Sequence, residues 1–226
     1  MEIILKSSST NKKINVDNSI ISIQTLDKKI INNLVNDYGI IQIDYCDNYF
    51  IGETVLEEIN LYNKYPNISL VSELLKIFNL DDKFLDRSIS SLSLTEKIYL
   101  NIIRNISSDE KIIFFKNIFL GLDLKNIKMI IKLINFLKEN SYIIFYCSDD
   151  VNNLYKYSDF SIVANKNIIE FDKTDSIYTN VEFLIEYDFD IPTLSYITYK
   201  AYKEKNVKLF YSKDVRDIIK DIYKHV

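Results

Sequence analysis

The chain has 226 residues, 47% of them hydrophobic and 27% charged, with a formal net charge of −4. That length and balance give one domain with an ordinary core and room for a small appendage. They argue against nucleic acid as a partner, since no basic patch stands out. No apolar run reaches membrane-spanning length, and no stretch reads as a signal peptide.

Two residue scarcities narrow the chemistry further. The single histidine, His225, is next to last, which removes imidazole catalysis and His-based metal sites from consideration. The three glycines, Gly39, Gly52 and Gly121, are each followed by something other than a Lys-Ser/Thr pair. A phosphate-cradling loop needs glycines closely spaced before such a pair, so that successive backbone N–H groups turn toward the phosphates. A loop of that usual kind is excluded. Cys46 and Cys147 lack metal-ligand spacing and read as buried thiols in a reducing, cytosolic compartment.

In chain order, residues 2–5 form a short apolar strand, and 6–13 read as a polar loop. Residues 19–24 form a second strand, followed by a helix over 28–36 with Ile30, Ile31, Leu34 and Val35 on its inner face. A strand over 39–44 comes next, then helices over 54–62 and 70–78. Over 95–106, Tyr99, Ile102, Ile103 and Ile106 fall at i, i+3, i+4 and i+7, one face of a helix that Thr95 is expected to cap. Residues 112–115 are an apolar run of core-strand length, and Gly121 supplies a turn.

The helix over 124–139 has the clearest apolar stripe in the chain: Ile127, Ile130, Ile131, Ile134 and Leu137. A strand over 142–146, a helix over 151–157 and strands over 160–164 and 167–172 follow. Three helices are expected in the tail, over 181–187, 192–203 and 212–224, with Pro192 in a first helical turn.

Residues 88–123, taken together, resemble the central segment of ABC-type ATPases, the nucleotide-binding subunits of transporters. Leu92-Ser93-Leu94-Thr95-Glu96 stands where that family has L-S-G-G-Q. Residues 112–115 stand at the Walker B apolar run, and Leu120-Gly121-Leu122-Asp123 at the D-loop S-G-L-D. Residues 44–59 are similar to the Q-loop of the ATPases of energy-coupling-factor transporters, matching at Phe50-Ile51-Gly52-Glu53-Thr54-Val55 and Glu58-Ile59.

The resemblance implies an α/β, P-loop NTPase-like fold with a parallel-sheet core, a reduced N-terminal β-subdomain and a helical subdomain over about 54–105. An ABC ATPase-like domain would cover 1–175 and a C-terminal helical extension 176–226.

The departures from the family are chemical. Lys116 takes the place of the magnesium-binding Asp, Asn117 that of the Glu that polarises water, Asp44 that of the Q-loop Gln, and Asp149 that of the switch His. No catalytic residue and no metal ligand are therefore expected, and the chain reads as a pseudo-ATPase. The family-matched cofactor-binding positions are Lys28, at the P-loop lysine, and Ser93, Gly121 and Asp123, which face a partner's nucleotide in ABC dimers. Ser93 and Gly121 are equally explained as helix cap and turn. Lys116 is open to a second reading, as an anion-binding cation.

No cofactor is expected, with ATP and magnesium relevant only if a partner subunit mainly holds them. The partners implied are an active ABC ATPase paralogue, in a heterodimer, and a membrane transport component for vitamin or metal-ion uptake. The chain would then lie at the cytoplasmic face of the membrane. The alternatives are a stand-alone adaptor that kept the scaffold and left transport, and an ATPase with rearranged catalytic groups.

Overall fold

The computed structural model describes residues 2–6, 11–25, 27–38, 40–44, 47, 49–107 and 110–224, leaving aside the side chains of Lys6 and Lys28. Gly39, Cys46 and His225 lie outside the described residues. In chain order the elements are β1 (Glu2–Lys6), β2 (Asn11–Asn15), β3 (Ile20–Thr25), α1 (Lys28–Tyr38), β4 (Ile41–Asp44), α2 (Val55–Tyr62) and α3 (Ile68–Ile77). Then come α4 (Leu94–Ile106), β5 (Ile112–Lys116), α5 (Leu124–Glu139), β6 (Ile143–Cys147), α6 (Val151–Tyr157), β7 (Phe160–Ala164) and β8 (Ile169–Lys173). Four helices close the chain: α7 (Thr174–Thr179), α8 (Val181–Glu186), α9 (Thr193–Lys205) and α10 (Val215–Ile222).

The chain divides into two compact units, one made of Met1–Asn33 with Cys147–Val226 and the other of Leu34–Tyr146. In the first, β3 runs parallel to β7, with Ile21 opposite Phe160 and Thr25 opposite Ala164, and β8 returns antiparallel on the far side of β7. Ser22, Ser158, Ser161 and Thr174 are buried in this unit, and their hydroxyls satisfy one another.

The same unit corrects one expectation. β2, whose first three residues fall in the stretch 6–13 expected as a loop, pairs antiparallel with β1, with Ile3 opposite Ile14. The lysines hid it: Ile14 and Val16 face inward with half-buried Lys12 beside them, paired with Glu170, while Lys13 pairs with Glu2 on the exposed face. Two smaller differences lie in the tail. A short helix, α7, precedes the three expected, and Pro192 sits at the N-cap of α9 rather than inside its first turn.

In the second unit, β4 and β5 pair in parallel, with Ile41 opposite Ile113 and Asp44 opposite Lys116. Ile113, Phe114 and Phe115 are fully buried, which explains why this strand reads as an uninterrupted apolar run. The Tyr99 ring of α4 stacks on Phe78 just past α3, centroids 4.0 Å apart. The cap of α4 is Ser93, not Thr95: Ser93 accepts from the Glu96 N–H while Glu96 accepts from the Ser93 N–H, a closed capping box. Among the described residues no helix is long and apolar enough to cross a membrane.

Candidate functional site

The ends of β4 and β5 bring two charges together. Asp44 and Lys116 are register partners, so their side chains leave the sheet side by side, and Lys116 Nζ lies 2.7 Å from Asp44 Oδ2. The next residue, Asn117, has φ 53°, a left-handed conformation that asparagine tolerates better than most residues. Its carbonyl accepts from Leu120 N–H at 2.9 Å, which turns the chain toward Gly121, itself at φ 70°.

Below this lies a residue that sequence reasoning passed over. Arg104, on α4, is 2% exposed and donates to Glu58 at 2.6 Å, to Asp47 at 3.1 Å and to the Tyr49 carbonyl at 2.7 Å. Its guanidinium sits 4.7 Å from the ring centres of both Phe50 and Tyr62. Glu58 in turn accepts from the N–H groups of Ile51 and Gly52, each at 2.8 Å. Burial works against the charge on Glu58, but the Gly52 amide, Arg104 and the Ile51 amide outweigh it and hold its pKa below the ordinary carboxylate value. The available signal was an arginine three residues after Asn101 and next to Asn105, a polar stripe on a helix buried over its last two turns, which calls for a buried acid.

Of the residues expected to face nucleotide, three are helix and turn devices of the second unit. Ser93 is the N-cap of α4, and Glu96 is further held by Arg87. Arg87 and Ser93 overcome the cost of burying Glu96 and lower its pKa. Gly121 sits in the left-handed turn, and Asp123 caps α5, accepting from the Asn126 N–H at 2.8 Å. The middle of α4 meets the start of α5 where Tyr99 Oη donates to Asn126 Oδ1 at 2.5 Å. Burial first, then the Asp123 carboxylate, pushes the Tyr99 pKa up to about 12.

Lys28 opens α1 in the first unit, and its side chain lies outside the described residues. The helix start it occupies is already furnished with an anion. Asp27 Oδ1 accepts from Lys29 N–H at 3.0 Å, and the Asp27 carbonyl accepts from Ile30 N–H at 3.1 Å. At the switch position, Asp149 adjoins Asp150, which caps α6 through the Asn152 N–H at 2.9 Å.

No family model matches the sequence. Two curated relatives do. One is the manganese transport system ATP-binding protein MntB of Halalkalibacterium halodurans, 25% identical over 126 residues, which are 56% of this chain and 50% of the relative. The other is MntA of Synechocystis, also a manganese transport system ATP-binding protein, 28% identical over 97 residues, or 43% of this chain and 37% of the relative. The chain thus matches about half or less of the length of these relatives.

Among solved structures, an ATP-binding cassette of an ABC transporter in its ADP conformation aligns with a TM-score of 0.63 at 16% identity, over 84% of this chain and 100% of that one. The structure of cbiO1 from Clostridium perfringens, part of the ABC transporter complex cbiONQ, aligns with a TM-score of 0.59 at 14% identity, over 85% and 92%. The chain resembles an ABC transporter ATP-binding subunit. Its mixed α/β fold, with a parallel strand pair in each unit, is the ABC ATPase fold.

The ABC ATPase fold implies magnesium and ATP, and at the positions that the sequence resemblance assigns to them the chain carries charges of its own. At the position that the resemblance assigns to the metal-binding carboxylate, the Lys116 ammonium is paired with Asp44. Where phosphate oxygens would meet the start of α1, the Asp27 carboxylate takes the amide. The Lys116 ion pair also weighs against the anion-binding reading of that lysine, because its ammonium already faces a carboxylate.

Proposed function

We propose that this chain is a catalytically silent ATP-binding-type subunit of an ABC transporter. It pairs with an intact ATPase paralogue beneath a membrane uptake component of energy-coupling-factor type. The observation that supports the reading is the Lys116–Asp44 ion pair, a cation at the position that the sequence resemblance gives to the metal-binding Asp. A metal ion beside that ammonium would meet like charge at contact distance, and turnover needs the metal to neutralise charge developing on the phosphates.

In this reading ATP and magnesium are held mainly by the partner. Ser93, Gly121 and Asp123 lie against the partner's nucleotide, and Lys28 contributes at most a charge at the start of α1. The chain works at the cytoplasmic face of the membrane without crossing it. Metal-ion cargo is favoured because both curated relatives are named for manganese transport.

Native mass spectrometry of the complex purified gently from its own membranes tests this. One copy each of this chain and an intact ABC ATPase, together with a membrane protein, is the expected composition. A monomer carrying neither would replace this reading with that of an adaptor that left transport.

A further inference from the structure

The tail of the first unit gathers positive charge beside apolar surface. Residues 205–224 carry six Lys and Arg against three Asp, in a chain that has 28 against 32 overall. On α10, Ile218 and Asp221 are buried, and Asp221 Oδ2 accepts from the Phe210 N–H at 2.9 Å, which holds the segment before α10 against that helix. Val215, Ile219, Ile222 and Tyr223 fall at i, i+4, i+7 and i+8 and are exposed. Phe210 and Tyr223 are each 76% exposed. Five large apolar side chains on and beside one short helix make a patch, not scattered exposure.

A cavity of about 510 Å³ lies at the N-terminal end of that stripe, between α6 and the starts of α9 and α10. Val215 and Arg216 line it together with Lys156, Lys213, Tyr155 and Asn152. Its three cations outnumber its one carboxylate, Asp214, which Arg216 contacts at 2.5 Å. Lys213 lies 5.1 Å from the Tyr155 ring centre and 3.0 Å from Asp175. Such solvent-exposed pairs are weak, so a phosphate group can share the same cations.

Val215 belongs to both the cavity and the stripe. A phosphate that carries apolar chains satisfies both at once, whereas a free phosphate leaves the stripe in water. A second copy docked about a two-fold axis would bring the same surplus of cations to this face. We propose that α10 and the cavity beside it form a docking surface for an anionic phospholipid bilayer. Lys156, Lys213 and Arg216 take headgroup phosphate, while the apolar stripe enters the interface. This contact is made by the chain itself, needs no membrane protein, and does not rest on the proposed function.

Flotation of the full-length chain with protein-free vesicles tests it. Phosphatidylcholine vesicles that contain phosphatidylglycerol should bind the chain about tenfold or more tightly than phosphatidylcholine alone, and high salt should erase the difference. Lys156→Gln combined with Arg216→Gln should weaken binding to the anionic vesicles about tenfold. Lys125→Gln combined with Lys132→Gln, the same loss of charge on α5, should leave it unchanged. Ile219→Ser combined with Tyr223→Ser should release the chain from anionic vesicles while keeping every cation, which separates insertion from adsorption by charge alone.

Equal binding to both kinds of vesicle, or to neither, would overturn the proposal. So would α5 variants that weaken binding as much as the tail variants do. A dimer seen by light scattering, and split by Ile219→Ser with Tyr223→Ser, would assign the face to a second copy instead. Because the vesicles hold no ATPase and no transport component, failure here leaves the transporter reading standing. A chain that binds lipid but recruits no ATPase sinks only that reading.

Discussion

Glu58 and Arg104 form an ion pair of 2.6 Å in which each residue is only 2% exposed. The pair joins the first turn of α2 to the last turn of α4, and through the Gly52 and Ile51 amides it also fixes the chain entering α2. Removing one partner leaves the other charge buried and uncompensated. Arg104→Ala should therefore cost about 3–5 kcal/mol of stability, read as a lower midpoint in urea denaturation at neutral pH.

The same carboxylate sets a dependence on acid. The pKa of Glu58 is lower folded than unfolded, so it contributes stability that is fully present above the unfolded value of about 4.5 and is lost as pH falls through the folded value. Glu96, also lowered, acts in the same sense. Unfolding free energies measured between pH 6 and pH 3 should fall more steeply for the native chain than for Glu58→Gln.

Gly52 is held close by the same helix. A Cβ at this position would lie 2.6 Å from the Glu58 backbone nitrogen and 2.9 Å from its Cα, atoms that cannot swing aside. Gly52→Ala should cost about 1–3 kcal/mol, the range for overpacking, with the change concentrated at the start of α2 in hydrogen exchange.

Ser93 is needed first as a cap. Ser93→Ala removes the acceptor for Glu96 N–H and half of the capping box, so thermal denaturation should show a loss of about 1 kcal/mol. Ser93→Asp keeps an acceptor at the cap and should restore stability. If Ser93 also touches a partner's nucleotide, the aspartate variant would regain stability yet still impair ATP hydrolysis by the assembled complex.

Most of the fold was legible in the sequence because periodicity carries it. The stripe of Ile127, Ile130, Ile131, Ile134 and Leu137 predicts α5, and the helix runs over the expected residues. The strand β2 was hidden because Lys12 and Lys13 look like loop residues until Glu170 and Glu2 are placed beside them. The cap of α4 was misplaced by two residues, although Ser93 and Glu96 already stood at capping-box spacing.

The candidate site was legible as a set of substitutions but not as an arrangement. Asp44 and Lys116 lie 72 positions apart, and only the parallel register of β4 and β5 makes them neighbours. Arg104 was missed for the same reason, since its partners Glu58, Asp47, Phe50 and Tyr62 come from segments far away in the chain.

The central claim is that the ABC ATPase shape persists while its magnesium and phosphate positions are filled by the chain's own charges. Calorimetric titration of the isolated chain with magnesium-ATP, followed by a phosphate-release assay on the same sample, tests it most directly. The account predicts no binding heat and no phosphate above the protein-free control. Saturable magnesium-dependent binding with steady phosphate release would contradict it.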